Sequence, residues 1–167
     1  MNEKKKCYKT FKSLVLKIIF LSIIAYLIFN YVIGMKYVNG ISTYPNIKDG
    51  DLIVYSRLDN SYNIDEVIVY EDNSVDKLGR IVAVSGDEVD FSEDGELKVN
   101  GNIQNEDLFY PTFSTNKDIE YPVLVEENSY FVLSDNRIQG VDSRMTGDIK
   151  KKNIKGKVIS ILRIRGI

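Results

Sequence analysis

Hydrophobic residues fall into two regimes along this chain. From Leu14 to Gly34 the sequence LVLKIIFLSIIAYLIFNYVIG is apolar on every side of a helix, interrupted only by Lys17 and Asn30. About 20 such residues rise roughly 30 Å, enough to cross the hydrocarbon core of a bilayer, and a lysine near the end can reach the head groups. The run exceeds the roughly 7 to 15 residues of a signal-peptide core, and no small-x-small cleavage site follows it before Met35, so the segment is expected to stay attached as an anchor. Beyond Met35 the pattern changes to short alternating or apolar runs rich in Val, Ile and Tyr, separated by turn signals at Asp49-Gly50, Gly86-Asp87, Asp94-Gly95 and Asn100-Gly101. Strands are predicted over Asp51 to Ser56, Val67 to Tyr70, Arg80 to Val84, Glu88 to Phe91, Leu97 to Val99, Tyr130 to Leu133 and Lys157 to Arg163. Short strands with little helical periodicity predict a mainly β domain, a curled sheet or partly closed barrel, behind one transmembrane helix. Asn102 to Glu120 lacks a period and is expected to be a loop excursion. The division is therefore a basic N-terminus at 1–13, a span at 14–34 and a β domain at 35–167.

Charge orients this arrangement. Residues 1 to 17 carry six lysines against Glu3, a net of +5, whereas the remainder carries 16 basic and 23 acidic residues, a net of −7. Lys4, Lys5, Lys6, Lys9 and Lys12 precede the span, which by the positive-inside rule leaves the N-terminus in the cytoplasm and the β domain outside. An acidic working domain argues against nucleic acid as a partner. The chain has no histidine, which excludes histidine-based triads and imidazole zinc sites, and its one cysteine, Cys7, cannot form an internal disulfide. No cofactor or metal is called for. Sixteen lysines to six arginines, with many Asn and Ile, fit an AT-rich Gram-positive coding bias.

Chemistry enters with KYVNGISTYPNIKDGDLIVYSR, where Gly40 and Ser42 stand at a bend before Pro45 and a strand. A lone serine in a turn is usually a hydrogen-bonding residue. Three further blocks follow in order: GRIVAVSGDEVDF from Gly79, DGELKVNG from Asp94, and YFVLSDNRIQGVDSRMTG from Tyr130, before the closing IKGKVISILRI. Together with the anchor they resemble the bacterial type I signal peptidases over essentially the whole chain, most specifically in SDNRIQGVDSR. The resemblance implies a membrane-bound serine endopeptidase with a serine nucleophile and a lysine general base, which removes signal peptides from exported precursors bound in an extended conformation.

Aligned residue by residue, the family motif G-x-S-M-x-P falls on Gly40 to Pro45, with Ser42 at the nucleophile position and Thr43 in place of methionine. The family's lysine-arginine pair falls on Gly79 and Arg80, so the base is absent. In the last block the serine expected to orient that lysine is Gly140. Arg80, Asp142 and Arg144 remain, and the resemblance implies an ion-pair network among them. The implied substrate groove comprises Lys36, Tyr37, Val38, Gly40, Ile41, Asp76, Lys77, Leu78 and Gly79. Loss of general-base help alone should slow cleavage by about 10² to 10⁴. Lys77 shares a strand face with position 79, but two residues along a strand is about 6.6 Å, beyond direct hydrogen-bond reach; the plainer reading is a solvated lysine beside Asp76.

The missing base resembles the degenerate signal-peptidase-like proteins of Gram-positive pilus assembly. The leading expectation is thus a tethered protein that binds exported precursors, pilin subunits foremost, without an intact dyad, in company with the lipid membrane and with sortase or translocase components. The alternative is an active signal peptidase using Ser42 and a relocated base such as Lys77. A third reading, an anchored β domain with a structural role at the cell surface, predicts indifference to changes in the groove.

Overall fold

The computed structural model describes residues 2–40, 45–105, 111–114 and 119–163. Helix α1 spans Asn2–Leu27 and runs into a π-helical turn at Ile28–Val32. Within it Phe11–Val32 is long and apolar enough to cross a membrane, and none of it is buried against the rest of the chain. Asn30, the polar interruption, is satisfied internally, since its Nδ2 donates to the Tyr26 carbonyl at 2.8 Å. The apolar segment ends two residues earlier than expected. Ile33 leaves the helix for extended backbone, and β1 (Ile33–Tyr37) pairs antiparallel with β2 (Leu52–Ser56), setting Gly34 opposite Tyr55. Packing decides this: a Cβ at Gly34 would fall 2.0 Å from the Tyr55 ring, so glycine is what lets strand and ring meet.

Two antiparallel sheets follow. The larger has the order β1-β2-β11-β3-β4-β9-β10, with β3 Val67–Asp72, β4 Val75–Val84, β9 Ser129–Leu133, β10 Ile149–Lys150 and β11 Ile154–Leu162. The smaller joins β7 (Asn102–Ile103), β6 (Leu97–Val99), β5 (Glu88–Phe91) and β8 (Val123–Leu124). The seven expected strands are present, while β1, β7, β8 and β10 are additional. β4 begins five residues before the expected Arg80 because Asn73 and Ser74, both at positive φ (50° and 64°), make a two-residue hairpin turn without glycine. Apolar positions bury as three clusters: one between the sheets around Val89, Leu97 and Phe131, one under β1 and β2 around Ile47, Ile53 and Val69, and one around Ile68, Tyr70, Ile81 and Val132.

The loop from Ser134 to the short helix α2 (Ser143–Thr146) is held by buried charge. Asp142 accepts from Arg144 in two parallel bonds, Nε to Oδ1 at 2.9 Å and Nη2 to Oδ2 at 2.8 Å, and also from the amides of Ser134 and Arg144 at 3.0 and 3.1 Å. The stretch expected to be a loop excursion seals this cluster: Thr112 Oγ1 accepts from Arg137 at 2.6 Å and the Phe113 carbonyl from Arg144 at 3.2 Å. Arg80 belongs to a different pair. It grips Asp135 through Nε at 3.0 Å and Nη2 at 2.8 Å, so among the described residues the expected network of Arg80, Asp142 and Arg144 is seen as two ion pairs, with Asp135 the overlooked member.

A buried guanidinium that loses its counter-charge is strongly destabilising. Asp142→Asn is expected to lower the unfolding free energy by about 3 to 5 kcal/mol. Lys152→Ala, at an exposed position, should stay within about 0.5 kcal/mol. Urea unfolding of the full-length protein in detergent micelles, followed by tyrosine fluorescence in a chain with eleven tyrosines and no tryptophan, measures both.

Candidate active site

β1 lies at one edge of the larger sheet, and β4 pairs with β9 only from Arg80 onward, which leaves the 75–79 side of β4 free of a strand partner there. Between these two edges opens a slot of about 370 Å³. It is lined by Lys36, Val38, Asn39 and Gly40 on one side, by Val75, Asp76, Lys77 and Leu78 on the other, and by Val141 from the loop before α2. Most of the expected groove residues therefore meet in one cleft. Tyr37 is exposed on β1 and is not part of the lining, and Gly79 is turned away from it toward Tyr70 and Val132. Ser42 and Ile41 lie outside the described residues. The slot ends at Gly40, two residues before Ser42, and the chain beyond is tied down where Asn46 Nδ2 donates to Asp135 at 3.0 Å. A larger cleft of about 640 Å³ between Arg57, Tyr62 and Lys150 shares no residue with the slot; the smaller one borders the serine segment and is the candidate site.

Charged side chains cross the slot. Lys36 Nζ lies 3.2 Å from a carboxylate oxygen of Asp76 and donates to the Asp76 carbonyl at 3.2 Å. Asp76 also takes Lys155 at 2.5 Å, and Lys155 reaches Glu71 at 2.7 Å. Burial pushes the Asp76 carboxyl up, but the hydrogen bonds from Lys155 and Lys36 outweigh it and leave the group below its ordinary range. Lys77, the neighbour of Asp76 and 24% exposed, pairs with Asp72 at 2.5 Å across the β3–β4 hairpin.

Gly79 and Gly140, where the sequence pattern expects the lysine and its orienting serine, press on the same strand end. A Cβ at Gly79 would stand 2.5 Å from Val132 Cγ1, 3.2 Å from the Leu133 carbonyl oxygen and 3.4 Å from the Tyr70 ring. A Cβ at Gly140 would stand 2.1 Å from Ser134 Cβ. The room that side chains at 79 and 140 would take is thus filled by Val132, Tyr70 and Ser134. Tyr70 and Ser134 are fully buried, and their hydroxyls have no partner among the described residues. Burial, followed by the nearby carboxylates of Asp142 and Asp72, raises the Tyr70 phenol above its ordinary value. Neither residue is singled out by the sequence, and neither is Val141; a tyrosine in an apolar strand carries no local sign that it will pack against Gly79.

The chain matches the family described as signal peptidase, peptidase S26, over residues 11–163. It is 27% identical to signal peptidase I S of Bacillus subtilis over 172 aligned residues, which cover 93% of this chain and 89% of that protein. With signal peptidase IB of Staphylococcus aureus it shares 28% identity, covering 81% of each chain. The crystal structure of a signal peptidase I from Enterococcus faecalis superposes with a TM-score of 0.50 at 25% identity, covering 60% of this chain and 98% of that one. This protein belongs to the signal peptidase S26 family. Its apolar helix and this membership together mark a membrane-anchored protein. These relatives carry the names of signal peptidases and support the peptidase alternative more directly than a pilin-binding one.

Overfilling at position 79 has a measurable signature. Gly79→Lys is expected to destabilise the protein by about 1 to 3 kcal/mol through overpacking. Val132→Ala makes room, so in a double-mutant cycle the pair should be less destabilised than the sum of the single changes. Urea midpoints of the four proteins provide the comparison.

Proposed function

We propose that this chain acts on exported precursor proteins at the membrane, holding an extended segment in the slot between β1 and β4 and cleaving it with Ser42. The observation that carries this reading is the slot itself, two free strand edges facing each other and leading to the serine segment. An extended peptide laid there adds a strand, with main-chain hydrogen bonds supplying affinity and the side chains of Val38, Leu78 and Val141 supplying apolar contact. The β domain stands outside the cytoplasm, with the lysine-rich N-terminus inside. Lys77 is the base in this reading. It lines the slot, and it can accept the serine proton only once released from Asp72, because a lysine held in an ion pair has no free lone pair.

A second reading, binding without cleavage, is favoured by one observation: the space at Gly79 is filled, so nothing at the family's base position can act. Pilin subunits are the precursor class that reading names, with sortase or translocase components alongside.

Incubation of the full-length protein in detergent micelles with an exported precursor, followed by mass spectrometry, separates the two. Under the peptidase reading the wild type cleaves at one junction, Ser42→Ala abolishes cleavage, Lys77→Ala slows it by about 10² to 10⁴, and Asp72→Asn accelerates it by freeing Lys77. Saturable precursor binding by wild type and Ser42→Ala alike, with no cleavage by either, overturns the peptidase reading in favour of binding alone.

A further inference from the structure

Strand register places one end of the larger sheet at the membrane. Ile33 on β1, Ser56 on β2 and Lys157 on β11 stand side by side, and Ile33 follows directly on the helical segment that ends at Val32. Beyond that row the Arg57 amide donates to the Val32 carbonyl at 2.9 Å, and β11, antiparallel to β2, lies there with its first residues, Ile154 and Lys155. This end carries the cleft of about 640 Å³ that shares no residue with the slot, and its walls hold five cations against three carboxylates. Lys155 is already engaged by Asp76 and Glu71. The other four, Arg57, Lys150, Lys151 and Lys152, are exposed, and none of them pairs with a carboxylate among the described residues. Of the carboxylates, Asp59 stands 4.0 Å from Lys157, while Glu126 and Glu127 are exposed just before β9. A chain with a net charge of −7 over residues 18 to 167 thus presents four unpaired cations at the membrane end of its sheet.

We propose that this cleft is a headgroup site, in which Arg57, Lys150, Lys151 and Lys152 bind the phosphates of anionic phospholipids in the membrane that anchors the chain. Ammonium and guanidinium groups both donate to phosphate oxygens, and their charge makes such contacts stronger than neutral ones. Position selects the source of the phosphate. Coulomb attraction reaches about 8 Å at physiological salt, so a cleft whose Arg57 wall is hydrogen-bonded to the end of the span lies in the field of the headgroups. Leu58, next to Arg57, is apolar and 62% exposed, which suits the boundary where headgroups meet hydrocarbon. A headgroup held here gives the β domain a second point of attachment besides β1 and limits its swing about the helix end. The inference needs the anchor and the cleft; it does not depend on Ser42 or on cleavage.

The test uses the full-length protein in nanodiscs of phosphatidylcholine alone or of an equal mixture with phosphatidylglycerol, and follows acetylation of each lysine by a neutral amine reagent with mass spectrometry. A basic residue near an anionic surface gains about fivefold in binding, so Lys150, Lys151 and Lys152 are expected to label about fivefold more slowly in the mixed discs. Lys48, exposed before the start of β2 at the far end of the sheet, should label equally in both. High salt should remove the difference. The protein in detergent micelles is also titrated with short-chain phosphatidylglycerol, with bound lipid counted by native mass spectrometry. Lys150→Gln, Lys151→Gln and Lys152→Gln together should weaken that binding at least about tenfold, and the same three positions changed to Arg should preserve it, which controls for damage to the fold. Equal labelling of Lys150 to Lys152 in the two kinds of disc overturns the inference, as does slowing of Lys48 to the same degree, which marks a non-specific effect of the surface. Equal protection by glycerol phosphate added to phosphatidylcholine discs overturns the lipid source, because the cleft then takes free phosphate esters.

Discussion

Asp142 is the carboxylate on which one wall of the site hangs. It is fully buried, and each of its oxygens takes two donors, one from the Arg144 guanidinium and one from a backbone amide. Removing two charges from water is unfavourable unless their geometry is good and their remaining hydrogen-bonding capacity is used. Here both conditions are met. Arg144 spends its other donors on the carbonyls of Arg137 and Phe113, which fixes the loop from Ser134 to α2 against the stretch crossing above it. Gly140 and Val141 ride on that loop, so the position of Val141 in the slot follows from an ion pair that never touches the slot.

Asp135 makes a second, separate junction. By accepting from Arg80 on β4 and from Asn46, it links the strand that carries Gly79 to the chain that follows Pro45. The chain around Gly79 and Gly140 is thus held by satisfied charges, and neither glycine has room for a side chain without a neighbour shifting. Packing accounts for this: Val132, Tyr70 and Ser134 occupy the space, and the hydroxyls of the latter two have no partner among the described residues. A buried hydroxyl without a partner is unfavourable by itself.

What could be read from the sequence divides along physical lines. The strands with a clear period, Glu88–Phe91 and Leu97–Val99 among them, stand where alternation put them, because each buries one face and a register slip would expose it. β1 was hidden because its residues continue the apolar run of the span; the change from helix to strand is made by Tyr55, which lies far along the chain and needs a glycine opposite. The start of β4 was hidden because its turn uses Asn73 and Ser74 instead of an Asn-Gly pair. The slot residues Lys36, Asp76 and Lys77 could be named from the family pattern, but their partners could not. Pairing of Lys77 with Asp72 instead of Asp76 depends on which faces a hairpin presents, and pairing of Arg80 with Asp135 on how a distant loop returns.

The anchor and the slot are mechanically continuous. Val32 ends the helical segment, Ile33 begins β1, and the Arg57 amide donates to the Val32 carbonyl at 2.9 Å, so no flexible linker separates span from sheet. Lys36 stands four residues past the last helical residue, about 13 Å along an extended strand. Under the proposed function, a sheet edge fixed at that distance receives segments that run close to the bilayer surface. A precursor whose own apolar segment lies in the same membrane presents such a stretch just beyond its span, and it does so extended, before it has folded. Under the proposed function, anchor, edge strand and slot select by position before any side chain is read.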